Sequence, residues 1–193
     1  MGQTEIQPVT PKGRRTRLAL LDAGAVVAER RGLAGLSIAA VVEQAGVAKG
    51  TFYLYFADRD AFIDALHQRF YERVSEAVAQ AVEGLAPGRR LLLSAVEAYL
   101  DVCLTNRAVK ALVFETRAQG ELTTTMEQRE ESFAVLAQPS LQAMGMTPPA
   151  IAARLLVAMT SEAALIEMEA GHEVPAAREI IRALAKTRRG SPS

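Results

Sequence analysis

The sequence predicts an all-α protein in which a small N-terminal head precedes a larger helical domain. Three observations carry this prediction. From Arg14 onward, apolar residues recur at the spacing of three and four that marks one face of a helix. No stretch alternates apolar and polar residues as a half-buried strand does, and clusters of Gly and Pro separate the helical segments.

Composition narrows the class of protein. Half of the 193 residues are hydrophobic, which is enough for a substantial core in one or two domains. No run of 18 apolar residues and no signal-peptide pattern occurs, so we expect a cytoplasmic protein with no membrane partner. The single Cys103 cannot form an internal disulfide, and with His67 and His172 as the only histidines we expect no metal site and no cofactor.

Charge is balanced overall but not evenly placed. The chain has 22 basic and 22 acidic residues, and the basic excess is sharpest at Lys12, Arg14, Arg15 and Arg17. Such a cluster is a modest sign of nucleic-acid binding, and it is also typical of a solvated terminus. Residues 1–13 are predicted to be a disordered basic arm and residues 189–193 a tail.

Three short helices are predicted for the head, residues 14–57. The first runs from Arg14 to about Gly32. Ser37 is a good N-cap for a two-turn second helix, and Gly46 provides the turn that ends it. A third helix must begin near Ala48.

Longer helices are predicted beyond the head. Asp58 is the expected N-cap of a long fourth helix, which the glycines and proline of "GLAPG" at 84–88 end. Further helices are predicted at 89–105, 108–119 and 121–137, the last of them kinked or ended by Pro139. Two more follow at 148–170, with Thr147 as the N-cap, and at 175–187.

The segment "VAKGTFYLYFADRD", residues 47–60, concentrates four of the chain's ten aromatic residues. Val42, Gly46 and Phe52 meet the needs of a helix-turn-helix, which are an apolar residue on each helix and a glycine at the turn. Such a unit presents the start of its second helix to a DNA major groove. Phe52 and Phe56, four residues apart, then face the core, while Tyr53 and Tyr55 turn their hydroxyls outward.

Residues 16–66, "TRLALLDAGAVVAERRGLAGLSIAAVVEQAGVAKGTFYLYFADRDAFIDAL", resemble the DNA-binding domain of the TetR family of bacterial transcriptional regulators. The segment "AGVAKGTFYLYFADRDAF" is its most specific part. The resemblance implies that the chain binds double-stranded DNA and is not an enzyme. The implied DNA-contacting residues are Ser37, Lys49, Gly50, Thr51, Tyr53, Tyr55 and Arg59.

The resemblance also implies a task for residues 58–188. In the family, the C-terminal domain forms a dimer and binds a small effector. The helix at 148–170 is apolar on nearly all sides, so it must be buried on nearly all sides. We expect a homodimer through the helices at 148–170 and 175–187, although burial within one subunit is the alternative.

An effector pocket is expected with the helices at 89–105 and 108–119 as its walls. Its apolar side chains indicate a hydrophobic or amphipathic small molecule, and each of them is also a candidate for ordinary core. The candidate lining residues are Leu92, Val96, Tyr99, Cys103, Phe114, Arg117, Phe133, Met159 and Glu162.

The predicted function is therefore a ligand-responsive repressor that binds a palindromic operator as a dimer. An enzyme is disfavoured, because no G-x-S-x-G, H-E-x-x-H or phosphate-loop motif is present and the histidines are isolated. The alternative is a helical ligand carrier or interaction module without working DNA binding. A steep fall of DNA affinity with salt would separate the two.

Overall fold

The computed structural model describes the backbone of residues 10–118 and 123–185, and their side chains apart from those of 116–118, 123–130 and 184. Nine helices run through this part of the chain and no strand occurs in it, which confirms the predicted all-α class. Their bounds are α1 Pro11–Gly35, α2 Ile38–Ala45, α3 Lys49–Tyr53, α4 Arg59–Val82, α5 Arg89–Thr105, α6 Arg107–Ala118, α7 Thr123–Ala143, α8 Pro149–Ala170 and α9 Pro175–Leu184.

The chain divides into two compact units. The first contains α1, α2, α3, the part of α4 up to Glu72, and α6. The second contains the rest of α4 from Arg73 onward, together with α5, α7, α8 and α9. These units follow packing, whereas the predicted domains follow chain order, so α6 joins the N-terminal helices although it lies within the predicted 58–188 domain.

α1 begins three residues before the predicted start. The Thr10 hydroxyl accepts a hydrogen bond from Gly13 N at 3.1 Å, and Pro11 occupies the first turn, where its missing N–H costs nothing. Lys12 therefore belongs to a helix rather than to the predicted arm, of which residues 1–9 lie outside the described residues. α1 kinks at Gly32, whose φ of 62° interrupts the helix at the predicted place.

The core of the first unit forms where α1 and α4 pack closely. Gly24 makes this possible, because a Cβ there would lie 2.5 Å from the Phe62 ring. Leu20, Leu21 and Phe70 are almost fully buried in the same unit. Phe62, Leu66 and Phe70 follow one another every four residues along the part of α4 in this unit, and each is at most 2% exposed.

The predicted end of α7 at residue 137, before Pro139, is wrong. The helix continues to Ala143, because the last turn is held by burial of Leu141 and Met144 and by the Ser140 hydroxyl, which accepts from Gly88 N at 3.1 Å. The predicted N-cap Thr147 is also wrong. Pro148 occupies the cap position and α8 begins at Pro149.

A buried ion cluster fixes α9 in the second unit. Arg178 donates from Nε and Nη2 to the two oxygens of Glu167 on α8 at 2.7 and 2.9 Å. Its Nη1 donates to Glu97 Oε2 at 2.9 Å and to Asp101 Oδ1 at 2.8 Å, both on α5. Arg178 is 4% exposed and Glu167 only 1%, so this is the polar centre of an otherwise apolar bundle.

One helix in the described ranges, α8, is long and apolar enough to cross a membrane by length and composition, with a mean hydropathy of 1.5. Within its unit it packs against α5, α7 and α9. Its buried side also carries Glu167, paired with Arg178. These contacts identify α8 as a packed helix of the bundle.

Candidate nucleic-acid interface

α2 and α3 are joined by the turn that the sequence predicts. Gly46 has a φ of 67° and a ψ of 32°, the left-handed conformation that glycine adopts without a steric penalty. Val47 N then donates to Val42 O at 3.1 Å, which closes the turn. At the other end of α2 the Ser37 hydroxyl accepts from Ala40 N at 3.2 Å, so the predicted N-cap is confirmed.

Aromatic rings hold α3 from its inner side. Phe52 is fully buried and Phe56 is 2% exposed, as predicted. Their ring centroids lie 5.3 Å apart, and the Phe62 centroid lies 5.3 Å from that of Phe52 and 4.9 Å from that of Phe56. The Arg17 guanidinium lies 5.3 Å from the centre of the Phe56 ring, in a cation–π contact from α1. These contacts fix which face of α3 points outward.

The outward face of α3 is polar and accessible. Lys49 and Gly50 are exposed, Thr51 is half-buried, and Tyr53 is 49% exposed. Among the described residues Lys49 has no hydrogen-bond or ion-pair partner. Ala48 occupies the N-cap position of α3 and provides no side-chain cap, which leaves the first amide groups of the helix available to an external acceptor.

Neither packing nor backbone conformation within the chain requires a glycine at position 50. A Cβ at this position would meet no atom within 4 Å, and the residue is helical. Glycine in a helix is less favourable than alanine by roughly 0.5–1 kcal/mol, so a different requirement must favour it here. Close approach of an external backbone is such a requirement.

Ser37 has one group left for a phosphate. Its amide donates to Gly35 O at 2.9 Å and is therefore already used. The hydroxyl oxygen accepts the capping bond, but the O–H can still donate outward. Ser37 itself is exposed at the start of α2.

Arg59 is engaged within the molecule. Its Nε and Nη2 donate to Leu36 O and Leu33 O, both at 2.7 Å, and so hold the last turn of α1 and the short connection to α2. Glu115 Oε2 on α6 accepts from Leu33 N at 3.1 Å and also holds the end of α1. The predicted phosphate contact of Arg59 stays a prediction, and the observed role of the side chain is to position the start of α2.

Two further residues complete the surface near α3. Tyr55 is half-buried just after the helix. Leu54, which the sequence analysis did not single out, is 67% exposed between the two tyrosines. The sequence contained a sign of this: Leu54 is an apolar residue between two tyrosines that were both predicted to face outward. Its position at the end of α3 makes it a candidate for an apolar contact with a base.

The predicted effector residues are distributed over both units. Leu92, Val96 and Cys103 are buried on α5, and Tyr99 on the same helix contacts Phe133 of α7, with 6.4 Å between ring centroids. Met159 is half-buried and Glu162 is exposed on α8. Phe114 belongs to the first unit, where the buried Lys110 Nζ lies 4.7 Å from its ring centre. The side chain of Arg117 lies outside the described residues.

An open depression of about 620 Å³ lies on the second unit, at another place. None of the predicted effector residues is among its lining residues. Those residues are Ala81, Arg89, Arg90, Leu93, Ser94, Glu97, Ala98 and Asp101. The predicted pocket therefore stays a prediction, for which the Tyr99–Phe133 ring pair is the observed contact between candidate residues.

No cluster of three or more His, Cys, Asp or Glu side chains suited to a metal ion occurs in the described parts of the chain. His67 is buried on α4, and His172 is exposed after α8, where its Nδ1 lies 2.8 Å from Glu173 O. The two histidines belong to different units. The absence of a metal site therefore stays a prediction from the sequence.

Comparison with known proteins bears on the helix-turn-helix directly. Residues 20–66 match the family model described as "Bacterial regulatory proteins, tetR family". The HTH-type transcriptional regulator MT1294 of Mycobacterium tuberculosis is 30% identical over 140 residues, which are 70% of this chain and 68% of that protein. YvdT of Bacillus subtilis, another HTH-type transcriptional regulator, is 34% identical over 65 residues, and the chain spans about a third (34%) of its length.

The fold agrees with solved structures. A TetR-like transcriptional regulator from Rhodococcus sp. RHA1 superimposes with a TM-score of 0.77 at 24% identity, and the match covers 88% of this chain and 93% of that one. The relatives are regulators of transcription and not enzymes, as the sequence predicts. The helix-turn-helix, the family match and the similarity to MT1294 establish that this chain belongs to the TetR family of bacterial transcriptional regulators.

Proposed function

We propose that the chain is a repressor that binds a palindromic operator as a homodimer and leaves it when a small effector binds. The DNA contacts are assigned to Lys49, Gly50, Thr51 and Tyr53 of α3, and Ser37, Tyr55 and Arg59 are further candidates. A protein with this task acts in the cytoplasm.

The observation that carries the proposal is the two-sided character of α3. Its inner side is held by three phenylalanine rings, while its outer side has an unpaired lysine and a glycine with open space around it. A cation adds to DNA affinity by releasing counterions from the phosphates, and a glycine allows the backbone to approach them. A helix that served only as core would need neither.

The homodimer is supported by apolar side chains left exposed on the proposed interface helices. Ile151, Leu155 and Ile166 of α8 are 57%, 61% and 40% exposed, and Ile180 of α9 is 60% exposed. Several exposed large apolar side chains on two packed helices favour burial against another protein surface. A twofold dimer also suits an operator with two half-sites about 34–36 Å apart.

The effector is assigned to the apolar helices α5 and α7. Tyr99 and Phe133 bring an aromatic pair and one hydroxyl to the same place, which suits a hydrophobic or amphipathic molecule. The ligand must bind one conformation of the dimer more tightly than the other, since otherwise it cannot shift DNA affinity. The alternative function is a helical ligand carrier without working DNA binding.

The test is selection of genomic fragments followed by mobility-shift assays on the enriched DNA. We expect the wild type to enrich a roughly palindromic site, and the double variant Lys49→Ala, Tyr53→Ala to lose that binding. The matched control is Arg90→Ala, which removes an exposed cation from α5 and should leave the site bound. Circular dichroism checks that every variant is folded.

Two results would contradict the proposal. If the wild type selects no DNA at low salt after refolding to remove bound effector, the carrier function is favoured. If the double variant and Arg90→Ala bind the site equally well, α3 is not the DNA-reading surface.

A further inference from the structure

The outer side of α8 forms a narrow stripe that runs the length of the helix. Its exposed members, spaced by three and four residues, are Ile151, Leu155, Ala158, Glu162 and Ile166. The opposite side is buried in the second unit, where Ala153, Leu156, Ala163 and Ala164 are each at most 8% exposed. The stripe is therefore a face that the described part of its own chain leaves exposed.

Two opposite charges lie at equal distances from the middle of this stripe. Arg154 precedes Ala158 by one turn and Glu162 follows it by one turn, about 6 Å along the axis in each direction. Both side chains are exposed. Neither has an ion-pair or hydrogen-bond partner among the described residues, and they are too far apart on one straight helix to pair with each other.

We propose that the partner in the dimer is a second α8 that crosses this one antiparallel at Ala158. In that arrangement Arg154 faces Glu162 of the partner subunit, and Glu162 faces Arg154 of the partner subunit. The inference rests on the homodimer proposed above and specifies its register. It assigns Glu162 to the dimer interface rather than to an effector pocket.

The charge pattern distinguishes this register from the others. A parallel pair of α8 helices would place each Arg154 beside Arg154 of the partner subunit and each Glu162 beside Glu162 of the partner subunit, which is repulsive. An antiparallel crossing at Glu162 brings the two carboxylates together, and a crossing at Leu155 leaves both charges unmatched. Crossing at Ala158 pairs all four charges.

The sizes of the side chains agree with the same crossing point. Ala158 is the smallest member of the stripe, and a small residue allows two helix axes to approach to about 8 Å. On either side, Ile151 then faces Leu165 of the partner subunit, so the apolar residues lie outside the ion pairs. The twofold axis makes every one of these contacts occur twice.

The decisive experiment reverses the charges in the full-length chain. Arg154→Glu and Glu162→Arg are prepared separately, and dimer dissociation is measured by analytical ultracentrifugation at low ionic strength. Each variant alone places like charges opposite each other at two positions, so we expect the dissociation constant to rise roughly tenfold. Mixed in equal amounts, the two variants become complementary and should form a heterodimer that dissociates within roughly threefold of the wild type.

The matched control uses exposed residues of the second unit outside the stripe. Arg90→Glu and Glu83→Arg make the same changes in net charge at α5 and at the end of α4. We expect neither to weaken the dimer, and mixing them should have no effect. Thermal unfolding monitored by circular dichroism separates a weakened interface from a misfolded subunit.

A second measurement tests the crossing point without relying on charge. Helices 8–10 Å apart bring symmetric Cα atoms at their crossing to about 3.4–5.4 Å, and the upper part of that range is within disulfide range. Ala158→Cys should therefore form a covalent dimer on oxidation. Ile151→Cys should not, because its two copies would lie about 21 Å apart. The native Cys103 is fully buried and does not interfere.

The outcomes separate this inference from the proposed function. A monomeric wild type would overturn the homodimer itself. A dimeric wild type whose mixed variants regain no affinity, or whose Ile151→Cys crosslinks while Ala158→Cys does not, would overturn the register and leave the homodimer in place. Rescue on mixing together with crosslinking at Ala158 establishes the register.

Discussion

Lys49 in the first unit and Arg178 in the second are cations that differ in exposure and in the number of their partners. Lys49 is exposed at the start of α3 with no partner in the described structure, whereas Arg178 is 4% exposed and bonded to three carboxylates. The partner of Arg178 is thus inside the fold, and we assign the partner of Lys49 to DNA. Neutralising each cation should therefore damage a different property, stability in one case and binding in the other.

The largest effect is expected from Arg178→Met. It leaves Glu167 buried without its cation, which should lower the free energy of unfolding by about 3–5 kcal/mol. Urea denaturation measures the loss. Arg182→Met is the control, because Arg182 pairs with Glu97 from a side chain that is 41% exposed and should cost about 1 kcal/mol or less. Equal losses in the two variants would show that the cluster does not stabilise the bundle.

Lowering the pH should reproduce part of this loss in the free energy of unfolding. Burial acts to raise the pKa of Glu167, but the hydrogen bonds from Arg178 and from Val174 N outweigh it and hold the pKa below its ordinary value of 4.5. A lowered pKa in the folded state contributes stability that is complete above pH 4.5 and is lost as pH falls through the lower folded value.

Urea midpoints measured from about pH 6 down to about pH 3 would follow that loss. We expect Glu167→Gln to be less stable than the wild type at neutral pH, and its urea midpoint should fall less steeply in acid. Parallel curves for the two proteins would assign the acid sensitivity to other carboxylates.

Neutralising the exposed cation should affect binding and not folding. For Lys49→Gln we expect the slope of log affinity against log salt to become shallower by about 0.9 for each lost phosphate contact, or about 1.8 for a dimer. The free energy of unfolding should stay within about 0.5 kcal/mol of the wild type. An unchanged slope on the selected operator would show that Lys49 does not contact a phosphate.

The smallest and most specific effect is expected from Gly50→Ala. The added Cβ meets no atom of the chain within 4 Å, so stability should rise by about 0.5 kcal/mol while operator binding weakens. Gly24→Ala should have the opposite effect on stability. Its Cβ would lie 2.5 Å from the Phe62 ring and should destabilise the fold. Unweakened operator binding by Gly50→Ala would show that DNA does not approach this part of α3.

Local signals made most of the head predictable from sequence. Ser37, Gly46 and Asp58 each act within three or four residues of themselves, and the structure confirms all three, with Ala61 N donating to Asp58 Oδ1 at 2.8 Å. Phe52 and Phe56 were equally predictable, because helical spacing alone decides which rings face inward. The same reasoning failed at Pro139, where packing of Leu141 and Met144 outweighs the lost backbone hydrogen bond.

Contacts between distant residues were not predictable. Arg59 reaches Leu33 across 26 positions, Glu115 reaches the same residue across 82, and Arg178 reaches Glu97 across 81. A single sequence contains no local pattern for such pairs. For that reason the sequence suggested a phosphate contact for Arg59 and gave no sign of the buried ion cluster in the second unit.

The grouping of α6 with the N-terminal helices has a consequence for how this regulator can be divided or recombined. A fragment that stops at Glu72 lacks α6 and with it the carboxylate of Glu115 that binds Leu33 N. It would also expose the surface of α1 on which α6 packs. The first unit is thus discontinuous in sequence, and a chimera that transplants it to another regulator must transfer α6 as well as the first 72 residues.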